Sequence, residues 1–140
     1  MEKTYQEVAD YYDKIWNDLE QESKTGVLSR HRMILLKLKQ AGFNSKSTLL
    51  EIGCGIGTLS SYLAKTNIDG KVDAVDISPA TIEFAKNKYK GLKNLEFFVS
   101  DMTDFSIDKK YDFILFPDVL EHIPVEAHEN IFNTIKNFCH

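Results

Sequence analysis

The fold of this chain is decided by one stretch, Leu49-Leu50-Glu51-Ile52-Gly53-Cys54-Gly55-Ile56-Gly57-Thr58-Leu59. A short apolar run around one acid is followed by three alternating glycines, after which a helical pattern begins. This order predicts a strand, a tight turn and a helix N-terminus. Because glycine has no side chain, such a turn lets the backbone approach a nucleotide-like ligand closely. The alternative is that the glycines only permit a sharp strand-to-helix turn.

Predicted strands and helices alternate with short connections from residue 47 onward. This alternation indicates right-handed βαβ units and a mainly parallel sheet of the α/β class, and strands rich in Val, Ile, Leu and Phe fit a sheet covered on both faces. Ligands of such sheets bind at the carboxyl ends of the strands. The four strands are predicted at 47–52, 71–76, 95–99 and 111–116, and they lead into Gly53, Asp76, Asp101 and Asp118.

Two helices are predicted ahead of the first strand. Apolar and aromatic residues recur every three or four positions over 4–21, and a second helix spans about 28–40 before a stop at Gly42. We therefore expect one domain, in which residues 1–46 form a helical cap and residues 47–140 form the core.

Composition limits the remaining possibilities. The chain has 140 residues, 43% hydrophobic and 27% charged, which is ordinary for a single soluble domain. The polar N-terminus and the lack of a long apolar run predict a cytoplasmic protein without a membrane partner. The net charge of −4 disfavours a nucleic-acid partner. Two cysteines, Cys54 and Cys139, have neither metal nor disulfide spacing.

The position of the third glycine separates two ligand classes. The dinucleotide fingerprint G-x-G-x-x-G needs a glycine at position 58, where the chain has Thr58, and the third glycine is Gly57 instead. This disfavours a nicotinamide-dependent oxidoreductase. The stretch Glu51–Gly57 resembles motif I of the class I S-adenosylmethionine-dependent methyltransferases. Three later stretches resemble the next motifs of that family, in order: Val75-Asp76-Ile77-Ser78, Ser100-Asp101-Met102 and Phe113–Ile123.

The resemblance covers roughly residues 47–124 and implies a Rossmann-like, doubly wound parallel sheet. The family sheet has strand order 3-2-1-4-5-7-6, and this chain has room only for 3-2-1-4. Family strands 5–7 are therefore expected to be missing, which would leave strand 4 as an exposed edge. We expect a C-terminally incomplete domain that self-associates through that edge or is only marginally stable.

The resemblance also implies a set of contacts to S-adenosylmethionine at its methionine end. Gly53, Gly55 and Gly57, with Cys54 in the same turn, would pass under the methionine part of the cofactor. Glu51 would order the cofactor's amino group, and the helix opening after the turn would face its carboxylate.

The nucleoside end of the cofactor is assigned in the same way. Asp76 would accept both ribose hydroxyls, because a carboxylate accepts two hydrogen bonds at once. Ile77 would pack on the adenine, Asp101 would bind its amino group, and Met102 would offer a backbone N–H to the ring. Phe116 would present its main-chain carbonyl near the cofactor amine. Alone, Asp76 and Asp101 also read as strand-end turn residues or helix caps.

Methyl transfer is an in-line displacement, so the protein mainly aligns the reactants and excludes water. His122 is the first candidate for a general base, followed by Asp118 and Glu121. Glu121 and His122 also fit a purely structural role in orienting the next helix. The spacing of Asp118, Glu121 and His122 offers a metal site as a further alternative, but we expect no bound metal.

The sequence predicts an enzyme that methylates a small-molecule acceptor on an unspecified atom and releases S-adenosylhomocysteine. It resembles the ubiquinone-biosynthesis-like group of the family. Two alternatives stay open, a cofactor-binding fragment without turnover and a metal-assisted RNA 2′-O-methyltransferase. The N-terminal segment fits an amphipathic helix that packs on the sheet. It also fits a lid, as the segment before motif I forms in related enzymes, and the residues suited to that role are Tyr11, Tyr12, Trp16 and His31.

Overall fold

A computed structural model describes residues 6–7, 9–10, 29–101, 109–117 and 125–138. The few described residues near the N-terminus are helical. Several residues singled out from the sequence lie outside the described ones, namely Tyr11, Tyr12, Trp16, Met102, Asp118, Glu121 and His122.

Helices and strands alternate through the described core. The helices are α1 (Ser29–Gln40), α2 (Thr58–Thr66), α3 (Pro79–Lys88) and α4 (Val125–Lys136). The strands are β1 (Thr48–Ile52), β2 (Lys71–Asp76), β3 (Leu95–Val99) and β4 (Phe113–Leu115). Among the described residues, none of the helices combines the length and apolar character that crossing a membrane requires.

The four strands form one parallel sheet in the order β3-β2-β1-β4, as the sequence predicted. β1 lies in the centre, where Glu51 is opposite Ala74 of β2 and Leu115 of β4. Parallel strands need a crossover between them, and α2 and α3 supply the crossovers from β1 to β2 and from β2 to β3. All four carboxyl ends therefore meet at one edge of the sheet.

Apolar side chains cover both faces of the sheet. On one face, α1, α2 and α3 pack on β1, β2 and β3 through a core that includes Leu38, Leu63 and Ile82. On the other face, Ile131 of α4 and Phe138 pack on Leu50, Val75 and Tyr111, among others. The alternation of side chains along each buried strand produces these two separate clusters.

A buried polar cluster lies within the second face. Asp73 of β2 is completely buried, and its Oδ2 accepts hydrogen bonds from the Tyr111 hydroxyl at 2.6 Å and from Lys109 Nζ at 2.8 Å. Burial and the adjacent Asp73 raise the pKa of Tyr111 above its usual range. The hydroxyl is therefore a permanent donor that ties the entry to β4 to the middle of β2.

The predicted fourth strand was too long. Residues 111–116 were expected to be a strand, but the strand covers only Phe113–Leu115, and Tyr111 forms an isolated bridge. The Asp112 side chain binds the start of β1, where its Oδ2 accepts a hydrogen bond from the Thr48 N–H at 2.9 Å. The first helix of the core also differs from a simple amphipathic pattern, since Met33 and Leu36 are half exposed.

Candidate functional site

The candidate site lies at the carboxyl edge of the sheet. β1 leads there into the glycine turn, β2 ends at Asp76, and β3 is followed by Ser100 and Asp101. Ser100 N–H donates to the Asp76 carbonyl at 3.0 Å, so the pairing of β2 with β3 continues up to this edge. The parallel register thus brings residues 25 positions apart (Asp76 and Asp101) to one side of the molecule.

The glycine turn has a conformation that only glycine adopts without strain. Gly53, Gly55 and Gly57 have φ angles of 81°, 56° and 87°, all in the left-handed region. The turn is fastened to β2, because the N–H groups of Gly53 and Cys54 both donate to the Val75 carbonyl, at 2.8 and 3.0 Å. The alternating glycines noted in the sequence therefore fix the shape of the turn.

The third glycine has a second reason to be glycine. A Cβ at Gly57 would lie 2.7 Å from the Phe97 ring of β3 and 3.3 Å from the Tyr89 ring. These two rings stack at 6.3 Å beneath the start of α2. A Cβ at Gly55, in contrast, would meet nothing within 4 Å. Gly57 thus permits close packing of α2 on β3, whereas Gly55 borders open space.

Asp76 joins the glycine turn to the start of α3. Its Oδ2 accepts from the Gly55 N–H at 2.8 Å, and its Oδ1 accepts from the Ser78 N–H at 3.0 Å and the Thr81 hydroxyl at 3.5 Å. Burial raises the pKa of Asp76 despite these hydrogen bonds, which act in the opposite direction. Burial therefore destabilises the ionised carboxylate, and the hydrogen bonds from the chain hold it next to the turn.

Glu51 is a second buried carboxylate below the turn. It is 2% exposed, and its Oε1 accepts a hydrogen bond from the hydroxyl of Ser60, the third residue of α2. Ser60 is not among the site residues predicted from the sequence. The signal was present in the polar pair Ser60-Ser61, which interrupts the apolar face of α2 directly after the glycine turn.

The N-terminus of α2 has the properties of an anion site. The helix begins after Gly57, which provides no side-chain cap, so the first amides remain available to an acceptor. Thr58 is 8% exposed, and among the described residues its buried Oγ1 has no hydrogen-bond partner. A carboxylate at this helix end would meet both the amides and the positive end of the dipole.

The thiol of Cys54 has no role as a nucleophile in this environment. Burial raises its pKa well above the ordinary value, and the charges of Asp76 and Glu51 raise it further. Its Sγ lies 3.5 Å from the Gly55 carbonyl, to which it donates. Because only the thiolate is a nucleophile, burial keeps the Cys54 thiol in its unreactive form.

For the other predicted site residues, the structure gives their burial or a single contact. Ile77 and Asp101 are half-buried at the carboxyl edge, and Phe116 follows β4 with its ring 5.9 Å from that of Phe132. His31 is buried within α1. The described residues contain no cluster of His, Cys, Asp and Glu suited to a metal ion, and the predicted base candidates lie outside them.

A family model described as a methyltransferase domain matches residues 49–140, which begin in β1 and include the whole candidate site. The chain belongs to the class I S-adenosylmethionine-dependent methyltransferases. The match confirms the family that motif I indicated. The glycine turn, Asp76 and the start of α2 are therefore parts of a methyltransferase domain.

Known methyltransferases resemble the chain in sequence and fold. Malonyl-[acyl-carrier protein] O-methyltransferase 1 of Ilyobacter polytropus is 37% identical over 87 residues, which are 62% of this chain and 32% of that protein. The structure of coclaurine N-methyltransferase bound to N-methylheliamine and SAH superposes with a TM-score of 0.66 at 25% identity, covering 77% of this chain and 32% of that one.

The fold is shared more widely. A TehB-like methyltransferase from Corynebacterium glutamicum superposes with a TM-score of 0.71 over 93% of this chain and 67% of its own, at 19% identity. This likeness concerns the fold alone. The chain spans about a third of the length of the curated O-methyltransferase that it matches.

Proposed function

We propose that this chain forms the cofactor-binding core of an enzyme that transfers a methyl group from S-adenosylmethionine to a small-molecule acceptor. One observation carries the proposal: Asp76 Oδ2 accepts from the Gly55 N–H at 2.8 Å. This bond joins the glycine turn of motif I to the acid of the second motif at a single site. The membership of the chain in the methyltransferase family supports the same conclusion.

The residues present fit the amino-acid end of S-adenosylmethionine. Gly53, Cys54 and Gly55 form the turn, which borders open space at Gly55. The Thr58 hydroxyl, which has no partner among the described residues, lies at a helix end that favours a carboxylate. Glu51 offers a negative charge below the turn for an ammonium group. We assign these residues to the methionine part of the cofactor, with Gly57 acting through packing.

The nucleoside end is assigned to the neighbouring strands. Asp76 would accept the ribose hydroxyls, because a carboxylate accepts more than one hydrogen bond at a time. Ile77 would pack on the adenine and Asp101 would bind its amino group, with Met102 as a backbone donor. Phe116 would direct its carbonyl to the amine.

S-adenosylmethionine supplies a methyl group that is already activated by its sulfonium, and S-adenosylhomocysteine is the product. The chain's residues therefore act by binding, alignment and exclusion of water. His122 is the proposed base for an acceptor that must lose a proton, and Asp118 and Glu121 are the next candidates. Residues 1–46 are the proposed cap over the core at 47–140.

The acceptor is proposed to be a small molecule. The names of two similar proteins specify O-methylation of malonyl-[acyl-carrier protein] and N-methylation of coclaurine, and the similarity to each is limited to part of their length. Both chemistries are compatible with the same cofactor core. The acceptor atom is therefore the property to be measured first.

A second candidate is a cofactor-binding unit without turnover. It is favoured by one observation, namely that the side chains of the described candidate site, such as Glu51, Thr58 and Asp76, are all assigned to the cofactor and none to an acceptor. Acceptor contacts in longer relatives have room to lie outside the matched region. The two candidates predict equal cofactor binding and different product formation.

Turnover measurements separate these candidates. The chain is incubated with S-adenosylmethionine carrying a labelled methyl group and with a panel of carboxylic acids, thioester-linked acids, phenols and amines. An enzyme transfers label to one acceptor class and forms S-adenosylhomocysteine in equal amount. Cofactor binding without label transfer to any class supports the binding unit, and absence of cofactor binding overturns both.

His122→Ala tests the proposed base. For an acceptor that must lose a proton, we expect turnover to fall by about 10²- to 10⁴-fold while cofactor affinity stays unchanged. The matched control is His128→Ala, on the partly exposed side of α4. Equal turnover in both variants would remove His122 from the mechanism.

A further inference from the structure

A fully buried serine lies next to the carboxylate assigned to the cofactor's amino group. Ser60 is 0% exposed and Glu51 is 2% exposed, and the Ser60 hydroxyl donates to Glu51 Oε1. The two residues come from different elements, α2 and β1, on opposite sides of the glycine turn. A buried carboxylate is costly unless it accepts hydrogen bonds, so this contact matters to the ionised state of Glu51.

The hydroxyl affects both the direction and the charge of the carboxylate. A donor at one oxygen restricts the rotation of the carboxylate plane, and a hydrogen bond to the charged form favours ionisation. The Glu51 carboxylate lies close enough to the turn for its charge to be one cause of the raised pKa of the Cys54 thiol, after burial and Asp76. An ionised, fixed carboxylate is what a bound ammonium group requires.

The adjacent serine provides a contrast. Ser61 is also buried, at 4% exposure, but its hydroxyl donates to the Thr58 carbonyl at 2.9 Å within α2. That is a local bond between a serine and its own helix. Two neighbouring serines, both buried, thus have different partners, and the partner of Ser60 is a carboxylate of the candidate site.

We propose that Ser60 is a positioning residue of the cofactor site, whose hydroxyl orients the Glu51 carboxylate toward the ammonium group of the bound aminoacyl chain. The inference rests on the proposed function. It extends the site from the turn into α2 and predicts that recognition of the amino-acid end depends on a residue whose hydroxyl donates to Glu51. Recognition of the nucleoside end is expected to be independent of Ser60.

Calorimetric titration with two ligands tests this division. S-adenosylhomocysteine has the amino-acid group, and 5′-methylthioadenosine lacks it. Ser60→Ala is expected to weaken S-adenosylhomocysteine about tenfold, the effect of one hydrogen bond to a charged group, and to leave 5′-methylthioadenosine unchanged. Ser61→Ala is the matched control and is expected to change neither affinity.

Two further measurements identify the route through Glu51. In a Glu51→Gln background, Ser60→Ala is expected to cause no additional loss, because the charge that it orients has been removed. In the wild-type chain, Ser60→Ala is expected to shift the loss of S-adenosylhomocysteine affinity at low pH toward higher pH, because the donor that favours the ionised form is absent. Ser60→Cys, of similar volume and with a weak donor, is expected to give the same ligand pattern.

The outcomes separate this inference from the proposed function. If the wild-type chain binds neither ligand, the proposed function fails. If it binds both and Ser60→Ala or Ser60→Cys weakens them equally, Ser60 has only a structural role. Unchanged S-adenosylhomocysteine affinity in both variants also overturns the inference.

Discussion

At the scale of single residues, two of the three turn glycines serve different purposes. Gly57 has a left-handed φ of 87° and a Cβ there would lie 2.7 Å from the Phe97 ring. Gly55 also has a positive φ, but a Cβ there would meet nothing within 4 Å. The alternation of glycines in the sequence does not reveal this difference, because it depends on a ring of β3 that is 40 positions away (Gly57 to Phe97).

Substitution of these glycines by alanine is expected to give graded losses of stability. Gly57→Ala combines backbone strain with overpacking and is expected to cost about 3 kcal/mol of unfolding free energy. Gly55→Ala has the strain alone and is expected to cost about 1 kcal/mol. Urea unfolding measures both.

Gly91→Ala is the control for this series, because its φ is not positive and a Cβ there meets open space. It is expected to change the unfolding free energy by less than about 0.5 kcal/mol. Equal losses at Gly55 and Gly57 would contradict the close approach of Phe97 to the turn.

The second residue-scale prediction concerns the pH dependence of stability. Burial raises the pKa of Asp76, so above its unfolded value of about 4 the folded chain binds more protons than the unfolded chain. The contribution of Asp76 to stability is therefore complete below that pH and is lost as pH rises through the folded pKa. Asp76→Asn removes this dependence.

We therefore expect the unfolding free energy of Asp76→Asn, relative to that of the wild-type chain, to increase as pH rises above about 4 and to become constant above the folded pKa of Asp76. Unfolding free energies of both chains, measured in urea without ligand, provide the comparison. The asparagine also places an NH₂ group near an amide, which costs about 1–3 kcal/mol at every pH and does not affect the slope. If the difference in unfolding free energy between the two chains is the same at every pH, burial does not raise the pKa of Asp76.

At the scale of elements, the helix that follows β2 is specified by its first residues. Ser78 is the N-cap of α3, its hydroxyl accepts from the Thr81 N–H at 3.3 Å, and Pro79 follows at the first helical position. Such a start has a local cause in the sequence, because serine is favoured at the N-cap and proline at the first helical position.

Ser78→Ala is expected to reduce the unfolding free energy by about 1 kcal/mol through loss of the cap. Ser45→Ala, at an exposed position in the turn before β1, is the control and is expected to have almost no effect. Thermal melts of the two variants and the wild-type chain supply the measurement. If the two variants melt at the same temperature, the cap does not stabilise α3.

The strands and helices differ in how well the sequence predicts them. β2 and β3 were predicted with their observed bounds, because each is a short apolar run between turn residues. β4 was predicted too long, because the sequence does not show that the Asp112 side chain accepts a hydrogen bond from Thr48 at the start of β1. The acids of the site were found from motif spacing. Ser60 was not, because its partner Glu51 is brought to it only by the folded turn.

At the scale of the whole molecule, the described sheet has β4 at one edge. Its three residues are partly exposed, and within the described chain β4 pairs only with β1. An edge strand presents unpaired N–H and C=O groups to any other strand. We propose that the 140-residue chain associates with itself through this edge.

Light scattering over a range of protein concentrations tests this association. A molecular mass that rises with concentration, together with a melting temperature that rises in parallel, is expected for contact through the sheet edge. A monodisperse monomer with high and concentration-independent thermal stability would contradict it.

The glycine turn and Asp76 are proposed to form one site for S-adenosylmethionine, and the other assignments depend on that site. Calorimetric titration of the wild-type chain and of Asp76→Ala, with S-adenosylmethionine and separately with NAD, tests this claim directly. We expect the wild-type chain to bind S-adenosylmethionine and not NAD, and Asp76→Ala to bind it at least about tenfold more weakly, because hydrogen bonds to a charged group are lost. Binding of NAD without S-adenosylmethionine, or equal affinity in the two chains, would contradict it.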